Sequence, residues 1–273
     1  MKFTKMHGLG NDFVVMQRKT VMPDVKDWAV TLCDRHKGVG ADGLVLILPT
    51  PEADLEMRIF NADGSEAEQC GNAIRCVAKY AVEKMGLMKE EMQVKTKRGI
   101  QTLRVMMQQR KVQNVQVDMG EPILQASQIP VVSLNEQVIQ ERIELPERIF
   151  TYTAVSMGNP HIVIEVDDLS SFSVETYGPL LETHPIFPRK TNVEFIQVHS
   201  PTEISMRVWE RGVGETMACG SGACAVLVAS VLAGKAQRKA TIHLLGGDLE
   251  IEWQESNNHV FMTGPATFVF DGE

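Results

Sequence analysis

The hydrophobic and polar positions predict the same order of elements twice along the chain. In the first half they predict strands over 2–6 and 12–17, a helix over 24–35, strands over 44–48 and 55–60, a helix over 72–85, and strands over 92–97, 100–107 and 112–118. In the second half they predict strands over 151–157 and 161–166, a helix over 173–182, strands over 192–198 and 203–209, a helix over 221–233, and strands over 239–245, 248–253 and 259–263. Strict alternation indicates the strands, and apolar residues three and four apart indicate the helices. The repeated order indicates an internal duplication.

The two halves also correspond residue by residue at one offset. Cys219 follows Cys70 by 149 residues (219 − 70). Identical pairs at this offset include Met57 and Met206, Arg58 and Arg207, Glu66 and Glu215, and Gly71 and Gly220. Agreement between element order and residue register favours a duplicated domain. We therefore predict one domain over 1–118, joined by the last strand over 264–273, and a second over 119–263, with the proline-containing stretch 120–150 as the linker region.

Composition and charge limit the classes of function. A chain of 273 residues, 44% of them hydrophobic, can bury one large core or two ordinary ones. The net charge is −8, and no run of Lys and Arg is long enough to follow a phosphate backbone, which argues against a nucleic-acid partner. The stretch MKFTKMHGLGNDF is not continuously apolar, so we do not expect it to act as a signal peptide, and no uncharged apolar window approaches eighteen residues. We expect a cytoplasmic protein with no membrane partner.

The five cysteines fall into two classes. Their odd number in a chain of this length does not suit a disulfide scaffold, so we expect reduced thiols. Cys33, Cys76 and Cys224 are expected to be small buried hydrophobic residues. Cys70 and Cys219 each stand before a glycine and a predicted helix. At that position, free N–H groups and the positive end of the helix dipole lower the pKa of a thiol from about 8.5 and favour a bound carboxylate.

A matched pair of thiols suggests a reaction that is itself symmetric. If the two domains face each other, one thiolate removes a proton from a substrate carbon while the opposite thiol donates a proton to the other face. That reaction is racemisation or epimerisation, and it requires neither pyridoxal nor a metal ion. A second class remains open, in which the two cysteines form the redox couple of a thiol–disulfide switch.

The sequence gives little support for a cofactor or a metal. Gly38, Gly40 and Gly43 match the G-x-G-x-x-G pattern of dinucleotide sites, but a predicted helix precedes the pattern and a strand follows it. This order is the reverse of the nucleotide fingerprint. The cysteines and histidines show no paired ligand spacing. We predict no cofactor and no metal.

Several long motifs resemble those of the diaminopimelate epimerase family. They are GLGNDFV, FNADGSEAEQCGNAIRC, MGNPH, TNVEF, WERGVGETMACGSGACA and VFMTGPATFVF, and the resemblance extends over essentially the whole chain. The resemblance implies a cofactor-independent interconversion of LL- and meso-2,6-diaminopimelate in the bacterial route to lysine and peptidoglycan. It implies an α/β (α+β) fold of two pseudo-symmetric domains, each a curled, mostly antiparallel sheet around a central helix, with the active site in the interdomain cleft. It also implies a homodimer that takes a small-molecule substrate.

The same resemblance implies roles for individual residues. Cys70 and Cys219 are the two acid–base thiols, and Glu210 and His161 are the polar partners near them. The residues implied to bind substrate are Asn11, Asn61, Gly71, Asn72, Asn159, Asn192, Glu210, Arg211, Gly220 and Ser221. Those at the helix starts offer donors to the reacting carboxylate, and Arg211 suits the distal carboxylate through two parallel hydrogen bonds.

Two departures from the family pattern and two alternatives remain. Ala73 stands where glycine is frequent, and Gly43 stands where some members place a glutamine toward the substrate, which removes one contact. Taken alone, NADG and GNP are also good turn sequences, so their asparagines are explained equally well as turn residues. A proline racemase-like enzyme or hydroxyproline epimerase of the same architecture is an alternative, although WERGVGETMACGSG and TNVEF argue against it.

Overall fold

The computed structural model describes residues 2–273, which form two compact units. Unit 1 comprises residues 2–118 and 263–273, and unit 2 comprises residues 119–262. Each unit has its own sheet and its own central helix.

The elements follow the chain in the predicted order, with short strands added. The first half contains β1 (Phe3–Gly8), β2 (Asn11–Gln17), α1 (Val25–Cys33), β3 (Gly43–Leu48), β4 (Leu55–Asn61), β5 (Glu66–Ala67), α2 (Gly71–Glu83), β6 (Glu91–Thr96), β7 (Gly99–Gln108) and β8 (Lys111–Asp118). The remainder contains β9 (Glu141–Leu145), β10 (Arg148–Ser156), β11 (Pro160–Glu165), α3 (Val174–Glu182), β12 (Asn192–Ser200), β13 (Glu203–Glu210), β14 (Gly214–Thr216), α4 (Gly220–Leu232), β15 (Lys239–Leu244), β16 (Gly247–Trp253), β17 (Val260–Gly264) and β18 (Thr267–Gly272). The predicted strands do not include β9, which lies in the stretch expected to be a linker region, or β5 and β14, whose two or three residues are too few to show alternation.

The two sheets pair their strands in the same succession. In unit 1, β1–β2 is antiparallel, β2–β3 parallel, β3–β4 antiparallel, β4–β6 parallel and β6–β7 antiparallel. In unit 2, the pairs β10–β11, β11–β12, β12–β13, β13–β15 and β15–β16 repeat this succession. Each parallel pair is joined through a helix, α1 or α2 in unit 1 and α3 or α4 in unit 2. The mixed α/β fold predicted from the sequence is confirmed.

One helix lies at the centre of each sheet. Helix α2 packs against β1, β2, β4, β7 and β8, and α4 packs against β10, β11, β12, β13, β15 and β16. A single helix can contact strands spread across a sheet when the sheet curls around it. In α4, Ala223, Val226 and Leu227 are fully buried, as expected for a helix that is apolar nearly all round. Within residues 2–273, no helix combines the length and the apolar character needed to cross a membrane.

A pair of ion bridges repeats between the units. The guanidinium of Arg58 contacts the carboxylate of Glu66 in unit 1. At the corresponding positions of unit 2, Nε of Arg207 lies 2.7 Å from Oε1 of Glu215. Each bridge ties a short strand, β5 or β14, to the long strand before it, directly ahead of the central helix. The identical pairs found along the sequence therefore occupy equivalent structural positions.

The stretch over 120–150 is a packed part of unit 2 and not a linker. Strand β9 pairs with β10, and the apolar side chains of this stretch join the core of unit 2. Those core residues are Ala126, Ile129, Val131, Val138, Ile143 and Phe150. The linker prediction is wrong because its prolines interrupt any regular period, while the apolar residues between them are nevertheless buried.

Gly178 in α3 lies against the indole ring of Trp209 in β13. A Cβ atom added to Gly178 would lie 2.5 Å from Cγ of Trp209, closer than real Cβ contacts. Alanine in place of glycine inside a helix ordinarily stabilises by about 1 kcal/mol, but overpacking costs about 1–3 kcal/mol. We expect the steric cost to exceed the helix gain, so Gly178→Ala should lower the free energy of unfolding by about 1–2 kcal/mol in urea denaturation. Leu180→Ala, at an exposed position of the same helix, is the control; an unchanged midpoint for Gly178→Ala would contradict the close packing.

Candidate active site

Cys70 and Cys219 occupy the same position in the two units. Cys70 is the N-cap residue of α2, with extended backbone angles of φ −148° and ψ 115°. Cys219 is the N-cap residue of α4, with φ −119° and ψ 108°. The carbonyl of each cysteine accepts the first helical hydrogen bond, from Ile74 and Ala223 respectively, both at 3.0 Å. Each thiol therefore lies at the positive end of a central helix, as the sequence predicts.

In unit 1, a chain of side chains leads from Cys70 into the protein. Sγ of Cys70 lies 3.7 Å from Oδ1 of Asn11, which also accepts a hydrogen bond from Nδ2 of Asn72 at 3.1 Å. Nδ2 of Asn11 donates to Asp42 at 2.7 Å, and Oδ1 of Asn72 accepts from the buried Arg75 at 3.0 Å. The structure thus brings Cys70, Asn11 and Asn72 together and adds two residues that sequence reasoning missed.

The charged ends of this chain fix its direction. A guanidinium only donates hydrogen bonds and a carboxylate only accepts them. With Arg75 at one end and Asp42 at the other, each asparagine amide can satisfy both neighbours in one orientation. Side-chain amides are otherwise ambiguous in direction. The carbonyl oxygen of Asn11 is consequently the atom turned toward Cys70, where it can accept the S–H hydrogen.

A network of charges holds Asp42 in place. Nη2 of Arg35 contacts both Asp42, at 2.7 Å, and Asp12, at 2.8 Å. Lys5, which is buried, lies 2.7 Å from Asp12. Burial acts to raise the pKa of Asp12, but hydrogen bonds from Arg35 and Lys5 outweigh it and hold that pKa at about 2. Asp12 is therefore charged across the working range, and the network stays assembled.

Asn61 and Gly43 lie opposite each other on adjacent strands of unit 1. The side chain of Asn61 is exposed and donates to Oγ of Ser65 at 3.0 Å, within the turn after β4. A Cβ atom on Gly43 would lie 2.9 Å from the carbonyl oxygen of Phe60. The close backbone explains glycine at this position, where some family members carry a larger side chain. Asn61 remains a prediction as a substrate ligand.

In unit 2, His161 stands in a line of polar groups. Its Nδ1 lies 2.7 Å from Oε1 of Glu194, and both side chains are fully buried. Its Nε2 lies 3.0 Å from Oδ1 of Asn159. These residues come from neighbouring parallel strands, His161 and Asn159 from β11 and the turn before it and Glu194 from β12. Glu194 was not among the predicted residues, although a charged residue inside the apolar run NVEFI is a signal that a careful sequence search can use.

The pKa of Cys219 is raised well above the usual range of a thiol. Burial is the largest cause, followed by the negative charges of Glu210 and Glu194, and hydrogen bonds from Ser221 and Gly222 offset part of the effect. This result corrects the expectation that the helix start lowers the pKa of this thiol. The helix dipole is present, but burial beside two carboxylates outweighs it. Cys219 is a protonated thiol at neutral pH.

Glu210 is the hydrogen-bond partner of the Cys219 thiol. It accepts from Cys219 and from the hydroxyl of Thr216. Burial raises the pKa of Glu210, while these two hydrogen bonds lower it in part. A carboxyl group with a raised pKa next to a thiol can exchange a proton with it. Thr216 is a further residue that sequence reasoning missed.

Asn192 and Arg211 are joined by the backbone. Oδ1 of the buried Asn192 accepts from the N–H of Arg211 at 2.9 Å, and its Nδ2 donates to the carbonyl of Pro160 at 2.8 Å. The side chain of Arg211 is exposed, with Nη1 donating to the carbonyl of Arg189 at 3.0 Å. The structure therefore assigns Asn192 a role in fixing the turn that carries Arg211. Gly220 and Ser221 form the first turn of α4, and Oγ of Ser221 lies 3.6 Å from Sγ of Cys219.

The other three cysteines lie in the core, as predicted. Cys33, Cys76 and Cys224 are buried, and burial raises the pKa of Cys33 to about 11 and that of Cys76 to about 12. Thiols of this kind are unreactive at neutral pH. Residues 2–273 contain no group of three or more His, Cys, Asp or Glu placed to hold a metal ion.

Solved structures with the same fold support the architecture. A hydroxyproline epimerase from Agrobacterium vitis superposes with a TM-score of 0.72 at 13% identity, covering 100% of this chain and 91% of the other. A phenazine biosynthesis protein of the PhzF family from Bacillus anthracis gives a TM-score of 0.71 at 14% identity, covering 100% and 98%. At such low identity these similarities establish the fold alone.

Sequence comparison identifies the family. The family model for diaminopimelate epimerase matches residues 3–125 and 153–269. The diaminopimelate epimerase of Pelotomaculum thermopropionicum is 56% identical over 276 residues, covering 100% of this chain and 98% of the relative. The diaminopimelate epimerase of Methanococcus maripaludis strain C6 is 54% identical over 276 residues, covering 100% and 99%. The chain therefore belongs to the diaminopimelate epimerase family.

Proposed function

We propose that this protein interconverts LL- and meso-2,6-diaminopimelate without a cofactor, using Cys70 and Cys219 as its two acid–base groups. The observation that carries the proposal is the placement of one cysteine at the start of the central helix in each of two equivalent units. Relatives that are 56% and 54% identical over the full chain are named diaminopimelate epimerase. In this role the protein acts in the cytoplasm as a homodimer and supplies a precursor of lysine and peptidoglycan.

The proposed reaction moves one proton at each face of the α-carbon. The thiolate of Cys70 takes the α-proton, and the S–H of Cys219 gives its proton to the opposite face of the resulting carbanion. The substrate keeps its formula and changes its handedness, while the enzyme finishes with a thiol at Cys70 and a thiolate at Cys219. The raised pKa of Cys219 supports its role as the donor in this direction. The reverse reaction exchanges the two roles.

The helix starts are proposed to bind the reacting carboxylate. Negative charge spreads onto that carboxylate as the α-proton leaves, and donors placed there in advance stabilise it. The first turns of α2 and α4 supply backbone N–H groups at the positive ends of their helices. These groups belong to Gly71, Asn72, Gly220 and Ser221. Glu210 is proposed to orient the S–H of Cys219, since its carboxylate accepts a hydrogen bond from that thiol.

The distal end of the substrate is proposed to be recognised by Arg211 and several asparagines. Arg211 is exposed on the turn that follows β13, where it is accessible to a carboxylate. Its backbone is held by the buried Asn192, so the turn has a defined position. Asn11, Asn61 and Asn159 add neutral donors and acceptors that can distinguish the two hands of the distal centre. Any α-carboxylate would suit the helix starts, so discrimination between amino acids has to come from this end.

Removing either thiol is the first test. We expect Cys70→Ala and Cys219→Ala each to abolish the formation of meso-diaminopimelate from the LL isomer, because each direction needs an acid and a base on opposite faces. Chiral separation after incubation without added cofactor measures the product. The serine variants should keep slow exchange of the α-proton with solvent deuterium, since the remaining thiolate can still remove a proton. Cys33→Ala is the control at a buried structural cysteine; full activity in either active-site alanine variant would exclude the two-base mechanism.

Arg211 is the second test. Lysine keeps the positive charge but loses the planar fork that binds a carboxylate through two parallel hydrogen bonds. We expect Arg211→Lys to lower kcat/KM by about 30-fold or more, equivalent to about 2 kcal/mol, with little change in the rate at which Cys219 is alkylated. Arg189→Lys is the matched control, because Arg189 is exposed nearby and contacts Arg211 through its backbone carbonyl. Normal turnover by Arg211→Lys, or epimerisation of alanine as fast as diaminopimelate by the wild type, would show that the distal site lies elsewhere.

A further inference from the structure

Glu194 is a buried carboxylate that lacks one of its hydrogen bonds. Its side chain is fully buried in β12, and Oε1 is bonded to His161. Among residues 2–273, Oε2 has no hydrogen-bond partner. A buried polar atom without a partner costs folding free energy, and a natural protein that keeps one usually does so for a reason other than stability. The position of Glu194, beneath the first turn of α4, indicates that reason.

We propose that Glu194 is a positioning residue of the Cys219 site, which fixes the imidazole of His161 and places a negative charge beside the thiol. The expected effect of Glu194 on turnover rests on the function proposed above, whereas its expected effect on the reactivity of the Cys219 thiol does not. Glu194 is hydrogen-bonded to Nδ1 of His161 through Oε1. It acts through His161 and through its charge.

The first part of the proposal concerns the ring of His161. A carboxylate accepts hydrogen bonds, so Nδ1 facing Glu194 at 2.7 Å carries the hydrogen. The other ring nitrogen, Nε2, faces Oδ1 of Asn159 at 3.0 Å. With Nδ1 held, the ring cannot turn over, and the nitrogen available for proton exchange is always Nε2.

The second part concerns the distance between the carboxylate and the thiol. A Cβ atom added to Gly222 would lie 2.7 Å from Oε1 of Glu194 and 3.3 Å from Sγ of Cys219. Oε1 of Glu194 and Sγ of Cys219 therefore both lie close to the same point on the first turn of α4. Glycine at 222 leaves the room for this approach. At such a separation in a buried setting, the charge of Glu194 acts on the thiol with little screening.

Three titratable groups surround Cys219 on the strands beneath it. They are His161 from β11, Glu194 from β12 and Glu210 from β13, and α4 itself carries no charged residue. Glu194 is one of the causes that raise the pKa of Cys219, after burial and Glu210. Removing that charge while keeping the shape of the side chain should lower the pKa of the thiol. The thiolate would then form, and react with an alkylating agent, at a lower pH than in the wild type.

The experiment uses Glu194→Gln and Glu194→Asp in the full-length chain. Cys219 alkylation by iodoacetamide is followed against pH by mass spectrometry in a Cys70→Ser background, and turnover is measured with both active-site cysteines present. We expect Glu194→Gln to shift the alkylation midpoint of Cys219 downward by about one pH unit and to reduce kcat by up to about 100-fold. Glu194→Asp keeps the negative charge, but its shorter side chain moves the carboxylate away from His161. This variant should therefore lose turnover, while its midpoint for Cys219 alkylation should stay near that of the wild type.

Glu165→Gln is the matched control, because Glu165 lies on the neighbouring strand β11 and pairs with Lys235 at the surface. An unchanged Cys219 midpoint in Glu194→Gln would overturn the proposal, as would an equal shift in Glu165→Gln. Full turnover by Glu194→Asp would also overturn it, and that result can be read even if Glu194→Gln does not fold. If the wild type fails to epimerise diaminopimelate, the function proposed above fails, while the alkylation midpoints still decide whether Glu194 controls the thiol.

Discussion

The site in each unit depends on the first turn of a buried helix. The opening N–H groups of an α-helix have no partner inside the helix, and they have to be met by side chains, water or a bound group. Both central helices begin directly after a cysteine, so the thiol and these N–H groups converge on one spot. The curled sheets hold that spot in place, because α2 and α4 each pack against strands from across their sheet. Fold and chemistry are thus linked at the helix start.

Duplication has preserved this framework while the charges around it have diverged. Arg75 corresponds to Cys224 at the offset of 149 residues (224 − 75), and Glu194 corresponds to Val45 (194 − 45). Unit 1 therefore ends its polar chain in a buried cation, and unit 2 places a buried anion under the helix start. The same backbone in this way surrounds its two thiols with different charges. A two-base reaction needs its two thiols in opposite protonation states, since one thiol must give a proton while the other takes one.

The sequence predicts what depends on local periodicity and repetition. The long strands and all four helices follow from apolar spacing, and the recurrence of Arg58 and Glu66 as Arg207 and Glu215 is visible in the sequence, although their ion pairs are seen only in the structure. The sign of the Cys219 pKa shift could not be predicted in this way. It arises first from burial of the thiol and then from the charges of Glu210 and Glu194, which strand pairing in the sheet brings together beneath α4. Contacts of this kind depend on the order in which the strands pair, which local sequence patterns do not reveal.

The polar site of unit 2 reduces stability at neutral pH, and the apolar helix above it compensates. Glu210 has a raised pKa, so the stabilisation from its folded environment is present in acid and is lost as pH rises through its folded pKa. The pKa of Cys219 is also raised, but its thiol is still protonated at neutral pH. Cys219 therefore begins to cost stability only in alkali. The buried carboxylate of Glu194 adds a further cost. Burial of α4 on nearly every side supplies apolar contacts that can offset the stability cost of these ionisable groups. The almost entirely apolar sequence of α4 therefore supplies folding free energy that offsets the cost of the charged groups beneath its first turn.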